Sequence, residues 1–392
     1  MILIPLIDSA KSSTTAIASF WNASSTPRMF SPLRMSERSS APMKEPQMFP
    51  LPPESAVPPR MTEVMASSSN PSPMIALLIF WLILIVFSPN FRNISAFQNI
   101  VREASFTGIC GVGMTFVIIS GDLDLSVASQ VALCSCVLTL LLPKMGVFPS
   151  VILILLLGAV LGTFNGVLIA KMKIPAFIAT LAMMFGYRAL AQIVNATPVV
   201  VENKLFKLMS TSYLAGIPVP FIVMIICGVI GTVILRKTAL GRHTLAIGNS
   251  HEAARIAGIS IPRTQILIYL MVGLFTAAAS IMITSYLGSS NYGMKDGFEF
   301  TVISAVVLGG TALVGGKGSI FTTAVAAIFL ATIKSGMDAF QIQSYMQRII
   351  EGVILIFAFS INGIRAYVND FLVKSRSRRE LDERRRGSAA GA

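Results

Sequence analysis

Charge is what this chain has least of. Only 12% of its 392 residues are Asp, Glu, Lys or Arg, about half the usual share of a soluble domain. Long runs such as Val147–Ala170 carry none, which points away from a soluble protein and toward a polytopic membrane protein. Cysteine is also scarce. Cys110, Cys134, Cys136 and Cys227 all lie in apolar stretches. Cys-Ser-Cys is not a metal spacing, so these four read as small buried hydrophobes. The two histidines, His243 and His251, are eight apart in one hydrophilic joint with no cysteine or acidic cluster around them. That spacing is not a metal site. No nucleophile, base and orienting group stand together, so no catalytic residue, metal or cofactor is expected.

Hydrophobic residues make up 54% of the chain. They fall into about ten candidate spans, with eight to ten as the range: 74–88, 104–119, 125–142, 150–170, 176–194, 219–235, 265–287, 300–314, 320–333 and 349–368. The expected fold class is therefore an all-α polytopic membrane protein. The net charge of +13 does not call for nucleic acid. Its basic residues sit in short hydrophilic joints and a tail, as expected beside anionic lipid. The joints balance between the two sides. Seven basic residues from Lys374 to Arg386 break the tie and place both ends in the cytoplasm. Three regions follow: an aperiodic Ser- and Pro-rich stretch 1–73 expected to be disordered, a transmembrane domain 74–368, and a basic cytoplasmic tail 369–392. Met61 in MTEVMASSSNP offers an ordinary start just ahead of the first span, which would leave the residues before it outside the native protein.

Several local patterns stand out. GAVLGTFNG spaces Gly158, Gly162 and Gly166 four apart, a small-residue ridge that lets another helix approach closely. Asn165 beside it is polar at depth and either faces a passage or bonds a neighbouring helix. GDLDLS puts Asp122 and Asp124 at a span junction. Two readings stand for them: a wet solute passage, or caps and ion pairs. Arg188 and Glu351 are further charges within spans. GGTALVGGKGS resembles a phosphate loop only superficially. Its Lys317 is followed by Gly318 rather than Ser or Thr, so it reads as a tight turn.

The joint 236–264 is the longest hydrophilic segment within the apolar region. From Arg236 to Arg263 it holds five basic residues and one acid, Glu252. Asn249 or Ser250 can cap a short helix there, with Glu252 three residues after Asn249 and Gly258 ending it. Ala253, Ile256 and Ala257 share one face of that helix, and Glu252 pairs with Arg255 on another. A helix of about eight residues is not stable alone in water. It rests either on the membrane interface or on a partner.

The segment GRHTLAIGNSHEAARIAGI resembles the cytoplasmic coupling loop of the permease subunits of bacterial ATP-binding cassette importers, in the branch that takes ribose and other monosaccharides. The family's EAAR-xx-G core falls on Glu252, Ala253, Ala254, Arg255 and Gly258. GMTFVIISGDLDLSVAS, GTFNGVLIAKMKIPAFIATLAMMFGYRALA and VISAVVLGGTALVGGKGSIFTT resemble three further motifs of that family, in the same order. Asp122 departs from a family glycine, and Ala128 replaces another. The resemblance implies a multi-pass protein of the inner (cytoplasmic) membrane that does no chemistry itself. It implies partner ATPase subunits, a solute-binding protein and a homodimer of permeases, with a monosaccharide or related polyol as solute. Asp122, Asp124, Asn165 and Thr180 are the pathway residues it suggests. A permease of an amino-acid importer shares the broad helical plan but lacks the sugar-type motifs. A proton- or sodium-driven carrier would show paired halves and a buried acid cluster.

Overall fold

A bilayer core takes about 20 apolar residues to cross as a helix. Among the described residues of the computed structural model, 81–82, 91, 93–356 and 360, seven helices meet that length and composition. They are α1 (Ile94–Ile119), α2 (Val127–Met145), α3 (Val147–Ala170), α4 (Ala176–Val194), α6 (Val219–Lys237), α9 (Ile261–Leu287) and α11 (Ile320–Ala339). Shorter helices lie between them: α5 (Lys204–Thr211), α7 (Ala239–Asn249), α8 (His251–Ile256) and α10 (Phe298–Leu308). Residues 344–356 are also helical. The first expected span, the end of the tenth from 357 on, the stretch 1–73 and the tail 369–392 lie outside the described residues, apart from Trp81, Leu82 and Ser360.

Two expected boundaries change. The span placed at 104–119 begins ten residues earlier, at Ile94. The longer helix takes in Arg102, which lies against the Tyr213 and Tyr286 rings, and Glu103, which pairs with Lys295 and Lys334. The span placed at 300–314 is the 11-residue α10, about 16 Å long at 1.5 Å per residue. That is roughly half a bilayer core. Gly309 and Gly310 end it, and Gly310 adopts φ +90°, a conformation open to glycine.

Strand pairing is minimal. β1 (Val199–Val200) pairs antiparallel with β4 (Ser289–Ser290), and β2 (Tyr213–Leu214) with β3 (Ile217–Pro218). The β1–β4 pair ties the loop after α4 to the loop after α9, at the end of the bundle away from α7 and α8.

Helix α1 is the axis of the bundle. In its most apolar window 94% of residues are buried, against 22% for α4. It packs on α11, α9, α6 and α10, while α2 packs on α4 and α9. Trp81 joins it from the first span: its ring meets Phe97 edge-on at 5.0 Å, and its Nε1–H donates to Thr332 Oγ1 of α11 at 2.9 Å. The outer helices expose apolar side chains instead, such as Ile152, Leu156 and Val160 of α3 and Ile226, Ile230 and Val233 of α6. Rows of exposed aliphatic residues on helices this long are the surface a lipid tail meets. The chain is a multi-pass, mostly helical membrane protein.

The most extensive helix pair is α3 against α9. Its closeness comes from glycine on both sides. A Cβ on Gly166 would lie 2.8 Å from the Ile266 Cα. One on Gly162 would lie 3.0 Å from the Gly273 Cα and would overlap the Tyr269 carbonyl. One on Gly158 would overlap the Gly273 carbonyl. Backbones this near gain van der Waals contact along their whole length, the main attraction available between helices in lipid.

Candidate functional site

Three clusters carry the polar residues of interest, and α1 connects them. The first is the α7–α8 segment. The joint expected to hold one helix holds two. Asn249 is the last residue of α7, and its side chain donates to Leu245 O at 2.8 Å. It is therefore not the cap. Ser250 is: its Oγ accepts from the Ala253 N–H at 3.2 Å and starts the six-residue α8. α8 is shorter than the eight residues expected, because the backbone leaves the helix after Ile256 and turns at Gly258, φ +78°. Arg255 grips Glu252 with both ends of its guanidinium, Nε to Oε2 at 3.1 Å and a terminal nitrogen to Oε1 at 2.5 Å. The pair is exposed. Ala254 is buried, whereas Ala253, Ala257 and Ile256 stand in the open, Ile256 at 77% exposure.

The last turn of α7 meets the core through a close backbone contact as well as the buried Ile247. The Ile119 carbonyl at the end of α1 accepts from the Gly316 N–H at 2.8 Å. This bond satisfies one of the carbonyls that a helix C-terminus leaves open. Gly248 of α7 lies against the same pair. A Cβ there would overlap the Ile119 carbonyl oxygen and stand 2.5 Å from Gly316 N. Gly315 and Gly316 take φ +89° and +78°, and a Cβ on Gly315 would lie 2.9 Å from both the Gly248 and Ile119 oxygens. The glycines of GGTALVGGKGS thus serve close backbone approach between three elements. The sequence showed the turn but not what it touches.

The second cluster surrounds the loop between α1 and α2. Asp124 is fully buried. Its Oδ1 accepts from the Ser126 N–H at 2.8 Å and from the Ser126 hydroxyl at 2.6 Å. Ser126 Oγ in turn accepts from Asn165 Nδ2 and Gln130 Nε2, each at 2.8 Å. The Tyr187 hydroxyl shares its proton between Asn165 Oδ1 at 2.8 Å and Leu161 O at 2.9 Å. Thr180 donates to Ala176 O at 2.9 Å, with Leu123 O at 3.3 Å as a weaker acceptor. The structure therefore brings Asp124, Asn165 and Thr180 to one loop, in a network that joins α2, α3 and α4. Asp122 sits at its edge, where Gln265 Nε2 of α9 donates to its Oδ2 at 3.3 Å. Its φ is not positive, so an acid in place of glycine causes no backbone strain. Burial pushes the Asp122 carboxyl up, while the Gln265 bond and nearby His251 of α8 pull it back.

The third cluster lies at the opposite end of the bundle. Glu103 of α1 accepts from Lys295 Nζ at 2.6 Å and faces Lys334 Nζ of α11 at 3.5 Å. Arg188, a charge noted within a span, donates to the Tyr292 and Met294 carbonyls at 2.6 and 3.1 Å and pairs with Asp296 at 3.5 Å. Sequence reasoning missed Glu103, Lys295 and Lys334. They are far apart in the chain, and only the full length of α1 puts Glu103 inside a span. Among the described residues no group of three or more His, Cys, Asp or Glu is placed to hold a metal.

Comparison with known proteins identifies the class. Residues 96–359 match the family described as branched-chain amino acid transport system / permease component. The chain is 37% identical to the ribose import permease protein RbsC of Bacillus subtilis (strain 168) over 293 residues, 73% of this chain and 90% of that protein. It is 35% identical to RbsC of Escherichia coli (strain K12), covering 74% of this chain and 92% of the relative. It is 36% identical to the L-arabinose transport system permease protein AraH of the same strain, covering 73% and 88%. No solved structure matches the chain. The family model takes its description from amino-acid transport, but these relatives are sugar permeases, and the sugar-type reading stands over the amino-acid one. The chain belongs to this permease-component family, as the non-enzymatic permease subunit of an ATP-binding cassette importer, in the branch that holds the ribose and L-arabinose permeases.

Proposed function

We propose that the chain forms half of the translocation pathway for a monosaccharide such as an aldopentose, in the inner membrane of a bacterium. The names of its relatives supply the solute class. A solute-binding protein delivers the sugar outside, two copies of the chain form the passage, and two ATPase subunits drive it from the cytoplasm. The α7–α8 segment, within the joint 236–264, is the part those ATPases hold. Its basic neighbours Arg236, Lys237, Arg242 and Arg263 suit a cytoplasmic position.

The observation that carries this reading is the contrast within α7–α8. One side is fused to the core through Gly248, Ile119 and Gly316. The other side presents Ala253, Ile256, Ala257 and the Glu252–Arg255 pair in the open. A displaced α8 must carry α7 with it, and α7 presses directly on the end of α1. Such rigid-body motion of packed elements converts a local push into a change at the far end. Glu252 and Arg255 fix the shape of the exposed knob, and Gly258 lets the chain leave it. In this reading Asp124, Asn165 and Thr180 hold α2, α3 and α4 together as one body, and their network of hydrogen bonds supports it.

Two variants test the coupling role. Glu252→Lys reverses the charge opposite Arg255 and splits the knob. Gly258→Arg places a Cβ where no described atom lies within 4 Å but is strained at φ +78°. Both should reach the membrane at normal levels and take up no labelled D-ribose or L-arabinose. Normal ATP-coupled uptake by either one would refute the assignment.

A further inference from the structure

The end of the bundle away from α7–α8 holds a cavity of about 670 Å³ among the described residues, within the range of about 300–1,000 Å³ typical of small-molecule sites. α1, α10, α11, the helical residues 344–356 and the loop before α10 surround it. We propose that this cavity is a resting site for the sugar on its way through the chain. The inference rests on the monosaccharide reading above and extends it to a place.

Three features argue for a neutral polyol there. First, the charged lining balances. It holds three acids, Glu103, Asp296 and Glu351, and three basic residues, Lys295, Lys334 and Arg348, so the cavity has strong donors and acceptors and no excess of either sign. The ion pairs Lys295–Glu103 and Lys334–Glu103 hold these three groups in fixed directions, and hydrogen bonds to ionised partners are the strong ones for a hydroxyl. Second, Phe298 and Phe300 line the same space. A sugar ring carries C–H faces between its hydroxyls, and an aromatic wall beside hydrogen-bonding groups matches both. Lys295 Nζ stands 5.3 Å from the Phe298 ring centre, which holds that ring in place.

Third, the cavity has a floor. Thr107 and Ser304 are at its base. One turn further along α1, a Cβ on Gly111 would lie 2.9 Å from the Thr323 Cγ2 of α11. One more turn on, the Thr115 and Thr323 hydroxyls meet at 3.1 Å. Val306 of α10 closes the third side. Beyond this seal α1 ends at Ile119, where Gly248 and Gly316 press on it. Glu103 and Ile119 are sixteen residues apart on one helix, about 24 Å at 1.5 Å per residue. A shift of α1 at its α7 contact would therefore reach both the seal and the cavity.

A protection experiment tests the site. The four native cysteines are buried, so Thr301→Cys, on the cavity wall, supplies the reactive thiol. Intact cells carrying this variant together with its ATPase and binding protein are treated with a charged, membrane-impermeant methanethiosulfonate. D-ribose and L-arabinose are the probes, and uptake of each is measured in the same cells. The sugar that is taken up should prevent most of the labelling. Adding Glu103→Gln should raise the sugar concentration for half-protection by about tenfold, the loss of one hydrogen bond to a charged group. If Thr301→Cys does not reach the membrane, Ser344→Cys on the same wall takes its place. Labelling that the transported sugar leaves unchanged overturns the site, as does a thiol that stays unreactive while uptake is normal. If the unsubstituted chain takes up no monosaccharide at all, the proposed function fails first, and this site with it.

Discussion

At the scale of single residues, Gly248 and Asp124 make opposite demands. Gly248 is required for what it lacks. Any side chain there would fill the space in which the Gly316 N–H meets the Ile119 carbonyl. Gly248→Val should therefore leave the spans folded and in the membrane but abolish sugar uptake. Transport assays paired with membrane immunoblots check this, and uptake within about a factor of two of the parent would show that the contact is slack rather than mechanical. Asp124 is required for its shape more than for its charge. Burial pushes its carboxyl up, against the pull of the Ser126 hydroxyl and amide and of Asn165. The folded chain thus holds that proton more tightly than the unfolded chain. Its contribution to stability is present below the usual carboxylate range and is lost as pH rises through the raised value. Asp124→Asn keeps the acceptor for Ser126 and has no proton to lose. In detergent it should melt above the parent at about pH 8 and close to it at about pH 4. Equal shifts at both pH values would show that the carboxylate is not the source.

At the scale of elements, the α3–α9 pair shows what the sequence made legible. Gly158, Gly162 and Gly166 at a spacing of four announced a close helix contact, but not its partner. On α9 the matching small residues, Gly273 and Ala277, form only a single spacing of four, too short to single that helix out as the partner. Gly162→Val should overpack the pair and cost about 1–3 kcal/mol, read as a lower melting temperature of the purified protein. An unchanged midpoint would mean that α3 can withdraw without loss. Long apolar runs such as α3 and α4 were plain in the sequence because nothing polar interrupts them. α1 was read short because Asn99, Arg102 and Glu103 break the run. Inside the fold each is answered: Asn99 by Arg102 one turn along the same helix, and, from elsewhere, Arg102 by the Tyr213 and Tyr286 rings and Glu103 by Lys295 and Lys334. α7 was missed because GRHTLAIGN is polar and glycine-containing. Its helix is stabilised by burying Gly241, Thr244 and Ile247, a pattern too short to stand out alone.

At the scale of the whole molecule, α1 joins everything that bears on transport. Its first half borders the charged cavity, its middle forms the threonine seal, and its last carbonyl meets the α7 contact. Permease subunits of ATP-binding cassette importers, the class this chain belongs to, take their driving energy from partner ATPase subunits. In the proposed reading that energy enters at the exposed knob of α8, and α1 carries it across. The order of the family motifs was readable in the sequence. The route between them was not, because it runs through backbone contacts among glycines that are far apart in the chain.

The central claim is that ATP hydrolysed by partner subunits, acting through α7–α8, drives sugar through this chain. Uptake of labelled D-ribose and L-arabinose into vesicles containing the chain, its ATPase and its binding protein tests it directly. The account predicts uptake that stops when ATP is trapped and continues when an uncoupler collapses the proton gradient. Uptake that survives the loss of ATP and vanishes with the uncoupler would contradict it.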